Sequence, residues 1–219
     1  MVIKLFSLFS LLLILIHGVS GQQDDDNTPV LDSDGDAVNS STEYYISYAG
    51  AGFRGGIGLP WGSKLRCPAR VIQMPFRTQI GLPVAVRPTL LESPFWPPSP
   101  LPIVFTVYVN QSVEISFSES VTGCPDGQAL WDVEFVPEVQ KDVVAGTWNQ
   151  QKSEFKILQT GKNNVYTFAS CARWSPCREL GLYRMRRRQH LSVNNQPNDL
   201  PYTFQFVKKN PANGVELPK

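Results

Sequence analysis

The chain has 219 residues, with 20 Lys+Arg against 19 Asp+Glu, and 42% of its residues are hydrophobic while 18% are charged. So even a balance excludes nucleic acid as a bulk partner, because phosphate binding needs a net basic surface. The length suits one domain with a sizeable core. In chain order, Lys4, an apolar run over 5–16 and the small residues Val19, Ser20 and Gly21 predict a signal peptide over 1–21, removed on secretion. The apolar run is shorter than the roughly 20 residues a spanning helix needs, so no membrane association is expected. Its removal takes away Lys4 and no acid (20 − 1 = 19 against 19), leaving a formally neutral mature chain. Residues 22–28 are polar, acidic and without periodicity, and read as a flexible N-terminus.

From Pro29 the texture changes. Short runs rich in Val, Ile, Phe and Tyr recur between Gly, Pro and Asn clusters at 44–48, 71–74, 84–86, 104–109, 113–117, 131–135, 155–158, 165–169, 191–193 and 202–207. Several alternate with period two, as in Val113-Glu114-Ile115-Ser116-Phe117, which is the pattern of half-buried antiparallel strands. No segment sustains a helical period, so the predicted class is all-β, a barrel or a sandwich. Four cysteines, Cys67, Cys124, Cys171 and Cys177, read as two disulfides in a secreted chain, with three connectivities open. Cys171 and Cys177 enclose only five residues, a small hairpin-like loop, and that pairing would leave Cys67 with Cys124. No metal site is expected, since His190 is the only mature histidine and the cysteines lack zinc-knuckle spacing.

The run Val30-Leu31-Asp32-Ser33-Asp34-Gly35-Asp36-Ala37-Val38, five residues, then Tyr44-Tyr45-Ile46, resembles the N-terminal signature of the plant Kunitz soybean-trypsin-inhibitor family, which includes miraculin-like relatives. Its physical logic is a first strand, an Asp-Gly turn that tolerates positive φ, and a second strand opening with aromatics. Arg66-Cys67-Pro68, Gly81-Leu82-Pro83-Val84, Trp131-Asp132-Val133, Phe155-Lys156-Ile157 and Phe204-Gln205-Phe206-Val207-Lys208 resemble further family segments in the same order. The resemblance implies one β-trefoil over 29–209, a flexible C-terminus over 210–219, and disulfides Cys67–Cys124 and Cys171–Cys177. Closing those two loops would stabilise by about 4 and about 2 to 3 kcal/mol in a chain-entropy account.

The resemblance further implies a monomeric protease inhibitor rather than an enzyme, needing no cofactor. Its partner is an endopeptidase, serine class first, met by an exposed substrate-like loop between the first two cysteines. The alternatives are a non-inhibitory binding or storage protein, or an inhibitor of cysteine or aspartic proteases. The corresponding loop holds Ser93, Pro94, Phe95, Trp96, Pro100, Leu101, Pro102 and Ile103 and no Lys or Arg. Pro102 falls nearest the primary specificity position, with Phe95 or Leu101 taking it if the loop's extra length moves the register; Arg87 lies early. Trypsin is therefore not the expected target. Five prolines within 93–103 would stiffen the loop before binding. Where the family has an asparagine that holds the loop from inside, this chain has Ser40, and Asn39 is one residue out of step, which on a strand turns it to the opposite face.

Other residues have plainer readings. Asp32, Asp34, Asp36 and Glu43 superficially resemble a calcium loop, but Gly35 is misplaced and a turn explains the same residues. Arg184, Arg186, Arg187 and Arg188 form a basic cluster that could attract sulfated glycans, anionic membrane or an acidic protein, against the dull reading of a solvated turn. His190 beside them reads as a surface residue, and no nucleophile–base arrangement is legible. Asn39 and Asn110 begin N-glycosylation sequons. Secretion to the apoplast or delivery to a vacuole is expected.

Overall fold

A computed structural model describes residues 28–50, 52, 54–60, 68–89, 104–117, 129–135, 141–146, 153–171, 176–185, 187–193 and 201–210. The predicted signal peptide, all but Thr28 of the N-terminal tail, the predicted loop residues 93–103, Cys67, Cys124, Arg186 and residues 211–219 lie outside them.

Thirteen strands are described and no helix. They are β1 (Glu43–Tyr48), β2 (Ile57–Gly58), β3 (Ala69–Arg70), β4 (Ile72–Gln73), β5 (Val84–Pro88), β6 (Ser112–Phe117), β7 (Trp131–Phe135), β8 (Lys141–Ala145), β9 (Glu154–Gln159), β10 (Tyr166–Cys171), β11 (Arg178–Met185), β12 (Arg188–Val193) and β13 (Thr203–Lys208). Nine of the ten sequence-predicted runs coincide with or overlap strands. The tenth, 104–109, makes only isolated bridges, Asn39↔Thr106 and Pro29↔Tyr108. The pattern missed β2, β3, β8 and β11. β2 and β3 are two residues long, β8 buries four consecutive residues and so shows no alternation, and β11 is punctuated by Gly181 and arginine.

Six strands close a ring by antiparallel pairing in the order β13–β1–β5–β6–β9–β10 and back to β13. Closure removes the exposed sheet edges that would otherwise template aggregation. Because side chains alternate across a strand, each barrel strand sends two residues inward. The twelve are Tyr44, Ile46, Val84, Val86, Val113, Ile115, Phe155, Ile157, Tyr166, Phe168, Phe204 and Phe206, none more than 2% exposed. One end of the ring is capped by the remaining strands, with β12 joined to β11, β4 and β8, and β8 joined to β7 and β3.

The chain thereby passes three times through one plan: a barrel strand, a cap hairpin, a returning barrel strand. β1 to β5, β6 to β9 and β10 to β13 are the three passes. β5 runs away from the cap and β6 back towards it. Thr89 and Ser112, the described residues at the facing ends of β5 and β6, therefore lie at the barrel end opposite the cap.

Candidate functional site

The uncapped end is organised by the N-terminal signature. Asp32 is fully buried, and its Oδ1 accepts hydrogen bonds from the amides of Asp34 (2.9 Å) and Asp36 (3.0 Å). Gly35 sits in the same turn at φ 89°, the left-handed backbone that glycine adopts without cost. The turn is fastened to the barrel. The Leu31 amide donates to the Tyr166 hydroxyl (2.8 Å), the Ser33 amide to the Phe206 carbonyl (2.8 Å), and Asn164 Nδ2 to the Asp32 carbonyl (3.1 Å). The acidic residues do not converge on a cation: Asp32 holds amides, Asp36 faces Lys208 at 3.7 Å, and Glu43 pairs with Lys209.

This clamp holds the chain emerging from the predicted loop. The Val30 amide donates to the Val107 carbonyl (2.9 Å), the Val107 amide to the Val38 carbonyl (2.9 Å), and the Val109 amide to the Thr28 carbonyl (2.8 Å). Nearest the loop, Ser40 and Phe105 are tied twice. The Ser40 amide donates to the Phe105 carbonyl, and the Phe105 amide donates to Ser40 Oγ, each at 2.9 Å. Ser40, at the position where the family has its asparagine, thus ties down the described chain just beyond the predicted loop. Asn39 does not, for its Oδ1 is engaged locally by the Ser41 amide (3.2 Å) and hydroxyl (2.8 Å). Val104, one residue before the clamp, is 54% exposed. On the other flank the Thr89 amide donates to the Ser112 carbonyl (2.8 Å). The described chain on either side of 90–103 is therefore tied to the barrel. Arg87 lies ahead of these ties, in the β5–β6 ladder opposite Glu114.

The comparisons with known proteins bear on what such a segment is for. The Kunitz model whose description is trypsin and protease inhibitor matches residues 30–208. The chain belongs to this Kunitz family. It is 28% identical to trypsin inhibitor BvTI of Bauhinia variegata over 184 residues, covering 83% of this chain and 96% of the relative. It is 25% identical to trypsin inhibitor 1B of Psophocarpus tetragonolobus, covering 82% and 98%. Among solved structures it is similar to the double-headed arrowhead protease inhibitor A in complex with two trypsins, at 27% identity and a TM-score of 0.62, covering 83% of this chain and all of that one. Kunitz structures of this kind are β-trefoils, and the three passes, of five, four and four strands, are that fold. The family consists of inhibitors, not enzymes. Of its two expected disulfides, Cys171–Cys177 is formed, bridging the end of β10 to the start of β11; both partners of Cys67–Cys124 lie outside the described residues.

At the capped end of this Kunitz chain the structure corrects one expectation. His190 is buried, 6% exposed, rather than a surface residue. It faces a polar cluster in which each of the three passes contributes: Arg70 from β3, Asp142 from β8, and Tyr183 with His190 from β11 and β12. Arg70 Nε lies 3.2 Å from Asp142 Oδ2, off the alignment of a good hydrogen bond, and the Asp142 side chain is 1% exposed. Burial first, and then the nearby Asp142 carboxylate, push the Tyr183 phenol up to about 12. No sequence spacing announces this cluster: Tyr183 and His190 share a hairpin (190 − 183 = 7), but Asp142 lies 41 residues before Tyr183 (183 − 142 = 41) and Arg70 a further 72 before it (142 − 70 = 72).

Burial, reinforced by Arg70 and Arg188 and opposed by Asp142, lowers the His190 pKa below its ordinary value of 6.5. The unfolded chain therefore takes up a proton at a higher pH than the fold does, so His190 contributes full stability above about pH 6.5 and loses it as pH falls towards the folded value. Between pH 7 and 5 the thermal midpoint of the wild type should fall more steeply than that of His190→Gln. The difference has a limiting slope of about 1.4 kcal/mol per pH unit. Parallel melting-temperature profiles would refute it.

Both sequon asparagines are half-buried. Asn110 adopts φ 64° in the turn that enters β6, its amide donating to the Ile157 carbonyl (2.8 Å).

Proposed function

We propose that this chain is a secreted inhibitor of endopeptidases, serine class first, that presents residues 93–103 to the protease as a substrate-like loop. The supporting observation is the double tie between Ser40 and Phe105, which holds the chain to the barrel two residues beyond Ile103. A loop held at its base and stiffened by proline loses little entropy on association, which is what tight inhibition requires. Family membership supports the protease class. The lack of any Lys or Arg within 90–103 supports an apolar pocket of the chymotrypsin kind, filled by Phe95, Leu101 or Pro102, over the acid-based pocket of trypsin. The proposal includes a mature monomer beginning after Gly21, a second disulfide Cys67–Cys124, N-glycans on Asn39 and Asn110, and an apoplastic or vacuolar destination.

The test is a panel of trypsin, chymotrypsin, elastase, subtilisin, papain and an aspartic protease against the mature protein and its Phe95→Ala, Leu101→Ala, Pro102→Ala and Ser40→Ala variants. A buried anchor is worth about 2 kcal/mol, so one loop substitution should weaken inhibition of one non-trypsin protease about 30-fold. Ser40→Ala removes one hydrogen bond of about 1 kcal/mol and should weaken it about 5-fold with little change in melting temperature. Tight trypsin inhibition would show the loop reading to be wrong. The absence of a basic residue equally favours a non-inhibitory relative, and inactivity against the whole panel would establish that reading.

A further inference from the structure

The arginine cluster that reads as a solvated turn is a built surface. Arg184, Arg187 and Arg188 are exposed on the β11–β12 hairpin, whose ladder runs to its tip with Met185 opposite Arg188 and Arg184 opposite Gln189. Arg187 holds φ 70° in the tight turn, so the tip is a closed hairpin and not the extended backbone a protease cleft accepts. Arg54, 130 residues away in sequence from Arg184, joins them. With the Gln189 amide turned so that its oxygen faces Arg54, it accepts from both guanidinium nitrogens at 3.0 and 3.3 Å. Two guanidinium groups thus flank Gln189 on one side of the ribbon, with Arg188 on the other and Arg187 at the end. Among the described residues no carboxylate lies within ion-pairing distance of these four, in a mature chain of equal positive and negative charge.

We infer that this arginine ribbon docks an acidic polysaccharide, a polyuronate whose successive carboxylates are taken by successive guanidinium forks. Arginine's planar donors match carboxylate in pairs and need no apolar contact. The described residues of the hairpin carry no exposed large hydrophobic side chain; Phe76 and Ile80 lie on the turn packed against Gly55 and Gly56 beside Arg54, and Val104 lies by the N-terminal clamp. A hairpin tip of arginines without apolar side chains disfavours a membrane, which a surface helix or ribbon enters through such side chains, and a protein partner, whose contacts centre on aromatic anchors. The ribbon stands at the capped end of the barrel, so a bound polysaccharide leaves the N-terminal clamp uncovered.

The test is retention of the full mature protein on immobilised polygalacturonate at about 50 mM salt, with dextran sulfate beads and phosphatidylserine vesicles as parallel arms. The variant Arg184→Gln/Arg187→Gln/Arg188→Gln should bind polygalacturonate about tenfold more weakly, with a shallower dependence of affinity on salt. The charge-matched control Lys156→Gln/Lys162→Gln/Lys208→Gln, on the barrel, should keep at least half the affinity. Arg54→Gln, which leaves the hairpin sequence intact, should lose two- to threefold and serves if the triple variant does not fold. No retention on polygalacturonate, equal loss in the lysine control, or binding confined to dextran sulfate or to vesicles would each overturn the inference.

Discussion

Phe168→Ala is expected to cost about 3–5 kcal/mol and to lower the melting temperature by roughly 10 °C or more, the largest loss of any single truncation in the barrel. Phe168 is fully buried where the cap meets the barrel. Its ring stacks on Phe204 at 4.1 Å and meets Trp131 edge-on at 5.8 Å. Trp131 in turn touches Phe117 and Phe155, and Phe204 touches Phe206, so one aromatic column runs from under the cap hairpin down the barrel axis. Removing its central ring leaves a cavity between rings of the second and third passes of a closed barrel, which cannot collapse without breaking the barrel's strand pairing. Phe168→Leu, which keeps most of the volume, should cost less than about 2 kcal/mol. Urea denaturation measures both, and a Phe168→Ala loss below 2 kcal/mol would show that the barrel relaxes where closure says it cannot.

The second large effect is expected at Arg70. Its side chain is about a third exposed, whereas its partner Asp142 is 1% exposed. Deleting the cation leaves a buried carboxylate without its counter-charge, so Arg70→Met should cost about 3 kcal/mol. The same pair removed together, Arg70→Met/Asp142→Leu, should recover most of that loss, because an apolar pair pays no desolvation of charge. Asp142 also faces Tyr183 and His190, so the recovery will fall short of complete. A double-mutant cycle in urea reads the coupling directly. Equal stability of Arg70→Met and the wild type would mean that Asp142 is satisfied by the third pass alone.

The uncapped end was the more legible of the two. Val30 to Val38 with Tyr44 carries the family signature because it is one continuous stretch doing one local job, folding a turn on Asp32 and Gly35. The period-two rule also located nine strands, since barrel strands such as β6 have one face inward and one outward. It even predicted the opposite fates of Asn39 and Ser40, neighbours on one strand-like stretch, of which only Ser40 reaches Phe105. β8 escaped because burial on both faces erases alternation.

What the sequence by itself determined is the all-β class, the family, the signature turn and the placing of Asn39 and Ser40 on opposite faces. What only the tertiary structure decided is whatever depends on the three passes meeting. Equivalent inward positions hold Tyr44, Val113 and Tyr166, or Val86, Ile157 and Phe206, so the repeat is invisible as residue identity; a barrel interior constrains the summed volume of its layers, not each residue. His190 and Asp142 look like surface residues in sequence because nothing near them says that hairpins from other passes will close over them. Arg54 reaches Gln189 for the same reason. Closing a ring brings residues together by geometry, over separations at which local pattern carries no information.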